Sequence, residues 1–265
     1  MRYVSFASGS SGNCGLLRGG GVSLLVDAGI SLKRIRACLA DEGLELGDLN
    51  GILVTHEHSD HVAGLTMLSK YSELPVYMSG GTARAILRQI RCREESLHLV
   101  EAGVPFSLGE LRVTAFETSH DAAEPLGFRV EGETGVLAIV TDLGYVSRGV
   151  REAVEGCAAA VVEANYDAEM LRYGPYPLNL GGAAAVNIRF IAAFSLLRLA
   201  KIALKPSTCI AISGVMATIA TMPKAKSITA DAPLIPTQTP MVIGSTKLEV
   251  SGPLATPPES KAIAV

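Results

Sequence analysis

The stretch Gly51-Ile52-Leu53-Val54-Thr55-His56-Glu57-His58-Ser59-Asp60-His61 decides the reading of this chain. Its first five residues form the short apolar run expected of a buried strand. Of the six that follow, His56, His58, Asp60 and His61 are potential metal ligands, and the chain has only 5 histidines in 265 residues. Imidazoles packed this closely repel one another when protonated, and they are costly to bury beside an unpaired carboxylate. A divalent cation removes that cost, so the cluster reads as a metal site at the carboxyl end of a strand. A solvated polar turn is the plainer alternative, but it does not explain the concentration of histidines.

Outward from this stretch, short apolar or alternating segments predict strands at Val22–Val26, Pro75–Met78, Leu111–Glu117, Leu126–Val130, Val136–Val140 and Ala159–Glu163. Helical patterns fall between them at Leu32–Ala40, Val62–Tyr71, Thr82–Cys92 and Val146–Glu155. The fold class is therefore α/β or α+β, with a sheet core. Two further strands end as Thr55-His56 does, in ligand-type residues: Thr118-Ser119-His120-Asp121 after Leu111–Glu117, and Thr141-Asp142 after Val136–Val140. Taken singly, each is an ordinary turn or surface histidine. Sharing the position of the first cluster makes His120 and Asp142 candidate ligands, whereas His98 lacks that context and reads as a surface residue.

Composition sets further bounds. A formal net charge of −3 and a pI near 6.0 leave no global basic footprint, so a nucleic acid must be held by local patches. Cys14, Cys38, Cys92, Cys157 and Cys209 are odd in number and form no C-x-x-C pair, which favours reduced thiols in the cytoplasm. The first 13 residues show no apolar signal-peptide core. From Gly181 onward the pattern changes: this part holds 8 of the 13 prolines, Asp231, Glu249 and Glu259 as its only acidic residues, and no histidine. The chain therefore divides into a domain at 1–180 and an atypical low-complexity tail at 181–265. The apolar stretches 183–204 and 207–222 make poor membrane spans, the first for its charges and the second for its length.

Asp27 in Leu-Val-Asp-Ala-Gly, the His56–His61 cluster, His120 and Asp142 resemble, in order and spacing, the metal motifs of the metallo-β-lactamase fold superfamily. Residues 7–14 (Ala-Ser-Gly-Ser-Ser-Gly-Asn-Cys), 119–125 (Ser-His-Asp-Ala-Ala-Glu-Pro), 141–145 (Thr-Asp-Leu-Gly-Tyr) and 163–167 (Glu-Ala-Asn-Tyr-Asp) resemble its YycJ/WalJ branch of bacterial cytosolic metallohydrolases. The resemblance covers 1–180 and implies an αββα sandwich and a metal-dependent hydrolase, a phosphodiesterase acting on DNA as a 5′-3′ exonuclease. It also implies two divalent metal ions, Zn or Mn. By the same resemblance His56, His58 and His120 hold one ion, Asp60 and His61 hold the second, and Asp142 bridges them. Imidazole and carboxylate donors suit such ions and argue against a thiolate structural zinc.

Asp27 is expected to orient a ligand imidazole as a hydrogen-bond acceptor behind it. Asp60 would also take a proton from the attacking water, whose pKa the metals lower towards ~7. Ser10 and Asn13 are candidate substrate-binding residues, through backbone N–H groups of 8–13 or as a plain Ser/Gly turn. Arg84, Arg88 and Arg91 share a helix face that suits either a DNA backbone or solvent.

The chain departs from the branch beyond Gly174–Pro177. The branch continues into a basic stretch, a Gly-His-Leu-Ser-Asn motif and a late metal-binding histidine, but no histidine follows His120 here. The second metal site is thus expected to be incomplete and the C-terminal part of the fold aberrant, as after a shifted frame, a fusion or a mispredicted end. Two rival functions remain: hydrolysis of a small ester, thioester or cyclic phosphate, and an impaired metal-binding remnant.

Overall fold

The computed structural model describes residues 1–89, 94–163, 209–213 and 246–249. Strands β1 (Arg2–Ala7), β2 (Cys14–Gly19), β3 (Val22–Val26), β4 (Gly51–Leu53), β5 (Val76–Met78) and β6 (Leu97–Leu99) form one sheet, with β13 (Thr246–Glu249) at its edge beside β1. Strands β7 (Pro105–Leu108), β8 (Leu111–Glu117), β9 (Leu126–Gly132), β10 (Gly135–Val140) and β11 (Ala159–Glu163) form the other, with β12 (Cys209–Ser213) beside β11. β1 to β3 are antiparallel and β3 to β6 parallel, while β7 to β10 are antiparallel and β10 to β12 parallel.

Side-chain alternation explains the layering. Leu24, Val26 and Leu53 point into a core shared with Val113, Phe128, Val130, Leu137 and Ile139 of the other sheet. Their neighbours Leu25, Ile52 and Val54 face the opposite way, against α1 (Leu32–Asp41), α3 (Leu65–Tyr71) and α4 (Gly80–Gln89). Ala138, Val140 and Ala160 pack in turn on α5 (Arg148–Val154). Strands covered on both faces are apolar throughout, which is why they read as continuous runs. The result is the expected αββα sandwich.

The expected helix 62–71 is interrupted. A short α2 (Ser59–Val62) ends before α3, because Gly64 lies against the backbone of another segment. Its N–H bonds Ala28 O at 2.7 Å, and a Cβ there would lie 2.4 Å from Ile30 O. Two strands also come from the part of the sequence that offered no strand pattern. β12 pairs in parallel with β11, and β13 pairs antiparallel with β1. The rest of 164–265, including 164–167 and Gly174–Pro177, lies outside the described residues, as do Arg91 and Cys92. No helix among the described residues is long and apolar enough to cross a membrane.

Candidate metal centre

The site is assembled at strand ends. Parallel pairing of β3 and β4 sets Asp27 beside Thr55, with Asp27 N–H on Leu53 O at 2.8 Å. From the facing sheet, the Leu126 N–H donates to Thr55 O at 2.9 Å, which docks the turn between β8 and β9 over the histidine cluster. The segment after β10 is tied to that turn by Ser119: Gly144 N–H reaches Ser119 O, and the Tyr145 N–H and carbonyl both engage the Ser119 hydroxyl, at 2.6 to 2.7 Å. Asp27 and Asp142 both adopt left-handed backbone, with φ of 58° and 46°. That conformation is uncommon outside glycine and is best tolerated by Asp and Asn.

Two groups of donor atoms result. One nitrogen each of His56, His58 and His120 lie within 4.8 Å of one another, and so do single donors of His56, His61 and Asp142. His120 Nε2 is 3.1 Å from His58 Nδ1, and Asp142 Oδ2 lies 2.6 Å from His61 Nε2 and 3.5 Å from His56 Nε2. Asp142 Oδ2 therefore has His61 Nε2 as its ion-pair partner, whereas His56 Nε2 is buried without a hydrogen-bond partner. Orphaned buried donors and acceptors are rare because each one costs free energy. A cation beside His56 Nε2 satisfies it, and the donor set fits a divalent metal.

The electrostatics of His56 and His120 agree. Burial, helped by the charge of His61, lowers His56 to about 2. Burial likewise lowers His120, so both are held as the neutral imidazoles that bind cations. Burial also works to lower His61, but the carboxylates of Asp27 and Asp142 outweigh it and raise the pKa to about 11.

The remaining candidate residues lie partly beside these groups and partly away from them. Asp27 is buried, and its Oδ2 lies 2.8 Å from His61 Nδ1. A carboxylate only accepts, so this contact fixes the proton on Nδ1 and turns Nε2 to the site. Asp60 lies outside both donor groups, with Oδ2 3.7 Å from His61 Nε2. Asn13 is buried, its Nδ2 3.2 Å from Asp60 Oδ2 and 2.9 Å from His61 Nε2, while its Oδ1 accepts the Gly9 N–H. Ser10 is exposed in a turn closed by Gly12 N–H on Gly9 O. The backbone N–H groups of Gly9, Gly12 and Asn13 are therefore already engaged within the protein. His98 is exposed and stacks on Tyr77, and Arg84 is exposed on α4.

Sequence reasoning missed Thr55, whose hydroxyl contacts Asp27, His56 Nδ1 and His61 Nδ1, and also the tie made by Ser119. Both flank a candidate ligand in sequence, which is the one signal that could have found them.

A sheet sandwich with a histidine-rich cluster at strand ends defines the metallo-β-lactamase class. The model of the β-lactamase superfamily domain matches residues 23–197. The chain is 39% identical over 181 residues to exodeoxyribonuclease YycJ of Bacillus anthracis, covering 68% of this chain and 69% of that protein. It is 36% identical over 183 residues to exodeoxyribonuclease WalJ of Streptococcus pneumoniae, covering 68% of each. Among solved structures, zinc-bound PqqB from Methylobacterium extorquens superposes with a TM-score of 0.54 at 18% identity, over 67% of this chain and 78% of that one, a likeness of fold alone. The chain belongs to the β-lactamase superfamily, in its YycJ/WalJ-type branch. It is a metal-dependent hydrolase.

Proposed function

We propose that this hydrolase cleaves phosphodiester bonds of DNA as an exonuclease, with two divalent cations, zinc or manganese, at the strand ends. The observation that carries the reading is the pair of donor groups sharing His56, in a chain similar over two thirds of its length to exodeoxyribonucleases. His56, His58 and His120 hold the tighter cation. His61 holds the other, with Asp142 between the two and Asp60 at its edge. This second set has no third imidazole of its own among the described residues, so its cation is the weaker.

When bound, such ions lower the pKa of water and stabilise charge on phosphoryl oxygens. The side chains do the rest. Asp27 fixes the proton of His61 on Nδ1, and Asn13 holds the Asp60 carboxylate in place through Nδ2. Asp60 is only partly buried and accepts the proton of the attacking water. A cytoplasmic setting suits the free thiols of Cys14, Cys38 and Cys157.

The test is hydrolysis of end-labelled duplex DNA with added Mn²⁺ or Zn²⁺, alongside nitrocefin and a thioester. DNA is the preferred substrate, and Asp142→Ala lowers its turnover at least about tenfold. A metal-independent signal, or faster cleavage of nitrocefin than of DNA, would overturn the proposal.

A further inference from the structure

Glu57 stands between His56 and His58 in sequence, yet its carboxylate belongs to neither donor group. It is buried, and both of its oxygens are engaged elsewhere. Oε1 accepts the backbone N–H of Ala123 at 2.6 Å, and Oε2 accepts the hydroxyl of Thr82, which is fully buried in the first turn of α4, at 3.4 Å. The next residue along, Glu124, makes a matching contact. Its Oε2 accepts the Gly81 N–H at 2.6 Å, and its backbone carbonyl accepts the Ser79 hydroxyl at 2.7 Å. Gly81 is required for this approach, since a Cβ there would lie 2.5 Å from Glu124 Cβ. The segment that follows His120 is thus held at two successive residues, Ala123 by the histidine cluster through Glu57 and Glu124 by α4 through Gly81.

We infer that Glu57 is a positioning residue, which holds the turn carrying His120 so that His120 Nε2 meets His56 and His58. Three features support this. The Ala123 N–H that Glu57 accepts lies three residues after His120, a span too short to move independently of it. A side chain that only packed there would leave that N–H unmade. The carboxylate also shares its own loop with His56 and His58, so loop and turn are set relative to each other by one residue. The inference rests on the reading that these three histidines hold a cation together.

The experiment measures zinc affinity of the tighter site by competition with a chromophoric chelator, with cobalt absorption and the thermal midpoint recorded on the same samples. Glu57→Ala weakens zinc binding by about tenfold or more, within the range for residues that orient ligands. Glu57→Gln stays within about threefold, because its amide oxygen still accepts the Ala123 N–H and its NH₂ can donate to Thr82. In a His120→Ala background, Glu57→Ala weakens binding by no more than about twofold further, since the residue acts through His120. A loss in Glu57→Gln equal to that in Glu57→Ala, or full additivity with His120→Ala, overturns this inference while leaving the site reading intact. A His120→Ala variant with unchanged zinc affinity overturns both. Where Glu57→Ala does not fold, Glu57→Gln and Thr82→Val decide. Near-wild-type cobalt spectra in Glu57→Gln with a weakened site in Thr82→Val support the inference, and a tenfold loss in Glu57→Gln overturns it.

Discussion

Replacing Asp27 by asparagine should separate folding from metal binding at this site. The substitution preserves shape, and asparagine tolerates the left-handed backbone at φ 58°. It changes the hydrogen-bond inventory, however. Asp27 accepts the Thr55 N–H on Oδ1 and the His61 Nδ1–H on Oδ2, both at 2.8 Å. An amide offers one oxygen to these two donors. If its NH₂ faces His61, the imidazole must carry its proton on Nε2, the nitrogen 2.6 Å from Asp142, and the lone pair that would bind metal is lost. If its NH₂ faces Thr55, a buried backbone donor goes unmade at about 1–3 kcal/mol. The expected result is a drop of about 1–3 kcal/mol in stability, or ~2–4 °C in midpoint per kcal/mol for a chain of this size. Where the NH₂ faces His61 instead, the cation held by His61 should weaken about 10–100-fold. Urea unfolding of chelated protein reads the first quantity and chelator competition the second. A variant that binds both cations as tightly as the wild type and is also equally stable would refute the tautomer argument.

Gly29→Ala should prevent normal folding, since its Cβ would lie 1.5 Å from Asp60 O and 2.7 Å from Asn13 N, both rigid backbone. Overpacking of this kind costs about 3 kcal/mol or more, so a thermal midpoint within a degree of wild type would contradict the packing described. The raised pKa of His61, about 11 against 6.5, stabilises the chelated protein fully below pH 6.5, and this contribution is lost as pH rises through about 11. Urea stability should therefore fall across that window more steeply in the wild type than in Asp27→Asn, and parallel curves would count against the Asp27–His61 pair. Burial pushes the Cys14 thiol up, and Cys157 up to about 11, so in native protein both should alkylate more slowly than the half-buried Cys38. Peptide mapping that finds Cys14 labelled as fast as Cys38 would exclude the buried placement.

The legible parts of this fold are those whose signal is local. Val22–Val26, Leu111–Glu117 and Ala159–Glu163 form strands over the residues their apolar runs predict, because burial on the core face dominates each of them. β1 and β2 escaped notice for a reason found only in their pairing. Gly15 interrupts the second run because the Tyr3 ring of the adjacent strand lies where its Cβ would be, 2.2 Å from the Tyr3 hydroxyl oxygen. The break at Gly64 likewise depends on Ala28 and Ile30, more than thirty positions away. At the site, the histidine cluster was legible as a sequence event. The contacts of Thr55, Glu57 and Ser119 join segments that only the tertiary fold brings together, and no pattern within one segment encodes them.

The donors are drawn from both layers of the sandwich, and this has a mechanical consequence. His56, His58 and His61 follow a strand of one sheet, whereas His120 and Asp142 follow strands of the other. The inter-sheet core is held by apolar contacts, which resist separation but have little directional stiffness. A cation held between these groups would act as a rivet through the edge of the two layers, and prising the sheets apart there would then require breaking its bonds to the side chains. A rim held in this way would resist separation of the sheets more than the opposite ends of the strands do.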